Sequence, residues 1–97
     1  MFEIRFSEDA ARHLKGFPAH DRRIIVQTIE EQLTHQATLP TRNRKQLQAN
    51  PLATWELRIH EFRVLYTVDD DTAIVLVVAI AVKKGSKFII EGEEYPL

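Results

Sequence analysis

Phe2, Ile4 and Phe6 alternate with Glu3 and Arg5, and a period of two predicts a half-buried strand at the N-terminus. Ser7 then stands where a helix N-cap belongs, followed by Glu8 and Asp9, whose charges suit the positive end of a helix dipole. Ala10, Leu14 and Phe17 fall at i, i+4 and i+7, one face of a short helix that ends near Gly16. Pro18 breaks the chain, and a second helix is expected from about Ala19 to His35. Its apolar stripe is Ile25, Ile29 and Leu33 with Val26 beside it, while Arg22, Arg23, Glu30 and Glu31 face water. Two helices joined this tightly form a hairpin whose apolar side needs a sheet to cover.

No clear period runs from Gln36 to Ala53, a stretch that contains Pro40 and Pro51 and is expected to be a long loop. Alternation then resumes in Trp55, Leu57 and Ile59, and again in Phe62, Val64, Tyr66 and Val68. Asp69-Asp70-Asp71 marks a turn, and Ala73 to Val82 is a continuous apolar run, as expected of a strand at the centre of a sheet. Lys83-Lys84-Gly85 ends it, and Phe88-Ile89-Ile90 is placed to add a short edge strand. The order β-α-α-β-β-β describes one α+β domain over residues 1–97, a helix hairpin on one face of a small, largely antiparallel sheet.

The hairpin register carries the first chemical clue. A two-residue turn at His60-Glu61 sets Ile59 opposite Phe62, Leu57 opposite Val64 and Trp55 opposite Tyr66, a consistent core face. On the other face the same register sets Arg58 directly opposite Arg63, a pairing of like charges that sheets avoid. Glu56, two residues before Arg58 on that face, is placed to offset part of the repulsion. Two readings stand: a Glu56–Arg58 surface pair with Arg63 in solvent, or an anion site where two guanidiniums offer forked donors to a phosphate or carboxylate.

Composition narrows the function classes. Ninety-seven residues fit one domain, and with no cysteine neither disulfides nor thiolate-bound metal can staple it. The N-terminus alternates apolar and charged residues, unlike a signal peptide, and the longest apolar run is too short to span a bilayer; a soluble cytoplasmic protein with no membrane partner is expected. The net charge of −1 argues against a general polyanion binder. Yet residues 41–63 hold Arg42, Arg44, Lys45, Arg58 and Arg63 against only Glu56 and Glu61, a cationic middle on a neutral chain. His13, His20, His35 and His60 lack metal-ligand spacing and read as surface or packing residues, and nothing in the sequence asks for a cofactor or metal.

Trp55-Glu56-Leu57-Arg58-Ile59, then Phe62-Arg63-Val64-Leu65-Tyr66, an acidic turn, an apolar strand and a basic ending resemble the RelE/ParE toxins of bacterial type II toxin–antitoxin pairs. Thr41-Arg42-Asn43-Arg44-Lys45, Asn50-Pro51-Leu52-Ala53, Lys83-Lys84-Gly85 and Gly92-Glu93-Glu94 resemble one branch of that family more narrowly. The resemblance implies a toxin neutralised by a small cognate antitoxin, with operator DNA reached only through that antitoxin. RelE-like members cut mRNA on the ribosome with basic side chains and no metal, and ParE-like members share the fold and poison DNA gyrase.

For cleavage, the resemblance assigns Arg63 to the scissile phosphate, with Arg58 at a nearby basic position. Lys45 falls where members place a catalytic acid or lysine, and Lys84 where they place a late basic residue; Arg42, Arg44 and Lys83 would line the RNA. Thr54 and Glu56 stand where RelE-like members carry lysines, and the late histidine or tyrosine of active members has no counterpart at the right spacing. A ribosome-dependent mRNA endonuclease is the leading expectation. The alternatives are a gyrase inhibitor and a catalytically silent, antitoxin-binding corepressor.

Overall fold

The computed structural model describes residues 1–96. Strand β1 (Glu3–Phe6) leads into helices α1 (Glu8–Lys15) and α2 (Ala19–Leu33), and β2 (Arg44–Gln46) follows a long connection. Then come β3 (Trp55–Ile59), β4 (Phe62–Asp69), β5 (Ile74–Lys84), β6 (Lys87–Ile90) and β7 (Glu93–Tyr95). Strands β2 to β7 neighbour one another in sequence order and antiparallel, while β1 pairs parallel with the first half of β5. The architecture is the expected α+β arrangement, a helix hairpin on a largely antiparallel sheet, with two strands more than the sequence pattern reveals. Helix α2 stops at Leu33, short of His35, and Phe88-Ile89-Ile90 is an interior strand because β7 lies outside it.

The period-two pattern decides what the helices cover. Trp55, Leu57 and Ile59 on β3 face Tyr66, Val64 and Phe62 on β4, the register expected for a His60-Glu61 turn. His60 takes φ +53, the left-handed conformation that lets the turn close without glycine or asparagine. Those six side chains join Val75, Val77 and Ile80 of β5 and Ala10, Ile25, Ile29 and Leu33 of the helices in one buried core. Trp55 and Tyr66 stack with ring centroids 6.2 Å apart.

The second face of the sheet is not open. Leu65, Ala79, Ala81, Phe88 and Ile90 form a smaller core there, roofed by Leu47, Leu52 and Ala53 from the connection between β2 and β3. Asn50 builds that roof. Its Oδ1 accepts from the backbone N–H groups of Leu52 (2.9 Å) and Ala53 (3.0 Å), and its Nδ2 donates to the carbonyls of Gln48 (2.8 Å) and Ala53 (3.0 Å). An asparagine amide can satisfy donors and acceptors at once, which no other side chain of that size does.

Three polar residues, Ser7, His13 and Thr41, fix the ends of the helices and strands. Ser7 caps α1 by accepting from Ala10 N–H at 3.0 Å and donates to the Val78 carbonyl at 3.3 Å. Val78 is the extra residue of a β-bulge, since Leu65 pairs with Ala79 while Tyr66 pairs with Val77. Just past it, the Ile80 N–H donates to Nδ1 of buried His13 at 3.2 Å, a packing role for that histidine. Thr41 closes the outer edge of β2: its N–H donates to the Arg44 carbonyl at 2.9 Å, and its hydroxyl accepts from Arg44 N–H at 3.2 Å.

Arg44 itself departs from expectation. It pairs with Leu57, so it points toward the helices and is 3% exposed. Its guanidinium donates to the carbonyls of Leu39 (3.0 Å) and Gln32 (3.2 Å) and to the side-chain oxygens of Gln36 (3.3 Å) and Gln32. A forked donor set gathers four acceptors at the end of α2, leaving nothing with which to meet RNA.

Two stability predictions follow from these buried donors. Arg44→Ala strands the Leu39 and Gln32 carbonyls and should cost about 2–3 kcal/mol in urea unfolding, and Arg44→Lys should recover little, because an ammonium cannot span the fork. The Tyr66 hydroxyl donates to the Ala37 carbonyl at 2.7 Å in the core. Burial pushes its pKa well above the ordinary value of 10.0, with the Arg44 charge opposing the shift slightly. The unfolded phenol ionises first, so stability present below pH 10.0 should fall as pH rises beyond it. Tyr66→Phe should cost about 1–2 kcal/mol at neutral pH and flatten that alkaline decline.

Candidate functional site

Alternation along β3 and β4 sends Glu56, Arg58, Arg63 and Leu65 to the face away from the helices. The register continues the rows outward: Lys45 lies opposite Glu56, Arg63 opposite Ala81, and Lys83 opposite Phe88, which in turn faces Tyr95. Lys45, Arg58, Arg63 and Lys83 therefore share one face, which takes in three members of the cationic middle and one residue beyond it.

Lys84 does not join them. It stands in step with Ile80 and Val82 and so belongs to the helix-covered side. The bulge at Val78 is the reason, because one inserted residue swaps the faces of everything beyond it. Arg44 is also on the helix side, as described. Arg42 is exposed in the connection before β2.

The two arginines differ sharply. Arg58 is exposed, whereas Arg63 is only 7% exposed and held by the hairpin that carries it. One of its terminal nitrogens donates to the carbonyls of His60 (2.6 Å) and Phe62 (2.8 Å). Its Nε lies 3.8 Å from Oε1 of buried Glu56, too far for a hydrogen bond, and is the buried side-chain nitrogen left without a partner among the described residues. Burial pushes the Arg63 pKa down; the Glu56 carboxylate opposes that, and the Arg58 charge adds to it. The register sets the two like charges opposite each other, and Glu56 stands diagonally beside Arg63 instead of pairing along its own strand with Arg58.

Chemically, the face offers exposed cations at Lys45 and Arg58, half-buried Lys83, and a guanidinium already matched to a carboxylate. Among the described residues no three His, Asp or Glu side chains gather to hold a metal ion, and no helix is long and apolar enough to cross a membrane.

A second ionic cluster has no sequence signal. Arg12 of α1 grips Glu91, in the turn between β6 and β7, with two hydrogen bonds of 2.8 and 2.9 Å, and reaches Asp9 at 3.0 Å. The other oxygen contact runs from Glu91 to Nε2 of His13 at 3.3 Å. The Arg12 guanidinium holds the Glu91 carboxyl below its ordinary pKa. Glu91 adopts φ +52, an unfavourable backbone state for a glutamate, sustained by this grip. Residues seventy-nine positions apart cannot be matched from one sequence.

Comparison with known proteins completes the description. None of the curated proteins matches the sequence significantly. Among solved structures, the chain is similar to the toxin–antitoxin complex RelBE2 from Mycobacterium tuberculosis, with TM-score 0.72 and 24% identity over 84% of this chain and 98% of the other. It is similar also to the intact Escherichia coli RelBE complex, with TM-score 0.68 and 17% identity over 88% and 100% of the two chains. The YoeB–YefM complex from Staphylococcus aureus follows at TM-score 0.63 and 20% identity over 87% and 99%. At such identities the likeness is one of fold. The family model for the ParE toxin of type II toxin–antitoxin systems, parDE, matches residues 4–84, most of the chain, and on that match the protein belongs to the ParE toxin family.

Proposed function

We propose that this toxin is held inactive by a cognate antitoxin in the cytoplasm and, when free, acts by gripping a protein target, DNA gyrase, rather than by cutting mRNA. Antitoxin binding is the state of the similar RelBE2, RelBE and YoeB–YefM complexes. Residues 1–97 act as one toxin domain, and operator DNA is reached through the antitoxin.

The observation that carries the choice of target is the condition of Arg63. Metal-free cleavage needs a free cation on the scissile phosphate and a proton donor and acceptor beside it. Here the arginine assigned to the phosphate is committed to Glu56 and two carbonyls. Lys84 faces the helices and Arg44 is enclosed. What remains on that face, Lys45 and Arg58 with Lys83, suits charge-complementary docking on a protein better than it suits acid–base chemistry. RNA cleavage keeps one specific support: those three cations still share a face.

Purified toxin should inhibit gyrase supercoiling and leave no new mRNA ends in a coupled translation reaction read by primer extension. Cleaved mRNA with unimpaired supercoiling would reverse the choice. Arg58→Ala should stay within about 0.5 kcal/mol of wild-type stability and weaken target inhibition, as expected of an exposed contact. Arg63→Ala should behave as a folding mutant, losing about 2–4 kcal/mol, because it leaves the Glu56 charge buried and unpaired. An Arg63→Ala protein that melts like wild type and has lost toxicity would restore Arg63 to the working site.

A further inference from the structure

We infer that Glu56 is a specificity-determining residue: as a resident counter-anion on Arg63, it makes the cationic face of the toxin reject nucleic-acid phosphate. The inference deepens the protein-target reading and rests on it for its biological meaning, but it concerns binding alone.

Glu56 sits at the centre of the cluster. It lies opposite Lys45 across the β2–β3 pairing, two residues from Arg58 on its own strand, and 3.8 Å from the Nε of Arg63. Both members of the Glu56–Arg63 pair are more than nine-tenths buried. The pair is poorly made for stability. Its closest approach exceeds hydrogen-bond range and leaves the Arg63 Nε unpartnered, while the two carbonyls of the hairpin already hold the guanidinium in place. A buried pair of such loose geometry recovers little of its desolvation cost. What the carboxylate does achieve is electrostatic. At this depth its charge is weakly screened, so an approaching phosphate meets a fixed negative charge beside the cations that would otherwise attract it. A protein partner, which can bring acidic groups to Lys45 and Arg58 and keep them clear of Glu56, meets a smaller penalty.

The test uses the full-length toxin purified away from its antitoxin and a fluorescent 20-nucleotide oligouridylate, titrated across a range of NaCl concentrations. Wild type should bind more weakly than about 100 μM near 100 mM NaCl. Glu56→Gln should tighten binding at least about tenfold and steepen the log Kd against log salt slope by about 0.7, one further phosphate neutralised on a single strand. The gain should vanish in Glu56→Gln/Arg63→Gln, and Glu56→Asp, which keeps the charge, should bind like wild type. Thermal melts accompany each protein, and Glu56→Met serves the same comparison if the glutamine variant is poorly folded. Three outcomes overturn the inference: no gain in the folded neutral variant, a gain that survives loss of Arg63, or a wild type that already binds the oligonucleotide tightly. Failure to inhibit gyrase would sink the target assignment and leave this result untouched.

Discussion

The two-residue turn at His60-Glu61 fixes the register between β3 and β4, and that register governs most of what lies around it. With side chains alternating strictly between faces, it sends six apolar residues under the helices and leaves Glu56, Arg58 and Arg63 together on the other side. A slip of one residue would bury the charges beneath α1 and α2 and expose the core. The left-handed backbone of His60 closes the turn. The first carbonyl of that turn is also an acceptor for Arg63, so the residue that terminates one strand helps to anchor the charged group of the next.

Charge placement follows a common rule across the molecule: each of the two buried arginines is hydrogen-bonded by oxygens that carry no formal charge. Arg44 collects carbonyl and amide oxygens at the end of α2, and Arg63 donates to two carbonyls while the Glu56 carboxylate stands 3.8 Å from its Nε. Both sit where a strand meets a connection with backbone oxygens left over, and the arginine fork is the side chain shaped to gather them. The exposed Arg12 does a related task in the open, drawing the turn between β6 and β7 onto α1 through Glu91.

Elements with a clean period were legible in the sequence. β1, α1, the β3–β4 hairpin and its cross-strand Arg58–Arg63 pair all stand where alternation and capping put them. The failures have physical causes. β2 shows no apolar alternation because its inward residue is Arg44, whose burial depends on oxygens donated by a helix distant in sequence. Lys84 was misplaced because β5 is apolar on both faces, so its sequence hides its phase. Val75 and Val77 face the helices, and unbroken alternation would send residue 84 to the opposite side; the bulge at Val78 reverses the phase. The cover on the second face was not legible because the chain supplies it from an eight-residue connection, folded around Asn50, that carries no periodic signature.

The Thr41 turn bears on how the edges of the sheet meet another chain. An exposed strand edge invites copies of a protein to join sheet to sheet. At one end of this sheet Thr41 has already taken both outward backbone groups of Arg44, and at the other end β7 presents Glu93 and Glu94, which repel their equals on an approaching copy. At these two edges the chain therefore resists pairing with a copy of itself. Two of the places where a small, sheet-rich protein is most prone to join its own kind are thus closed by the chain itself.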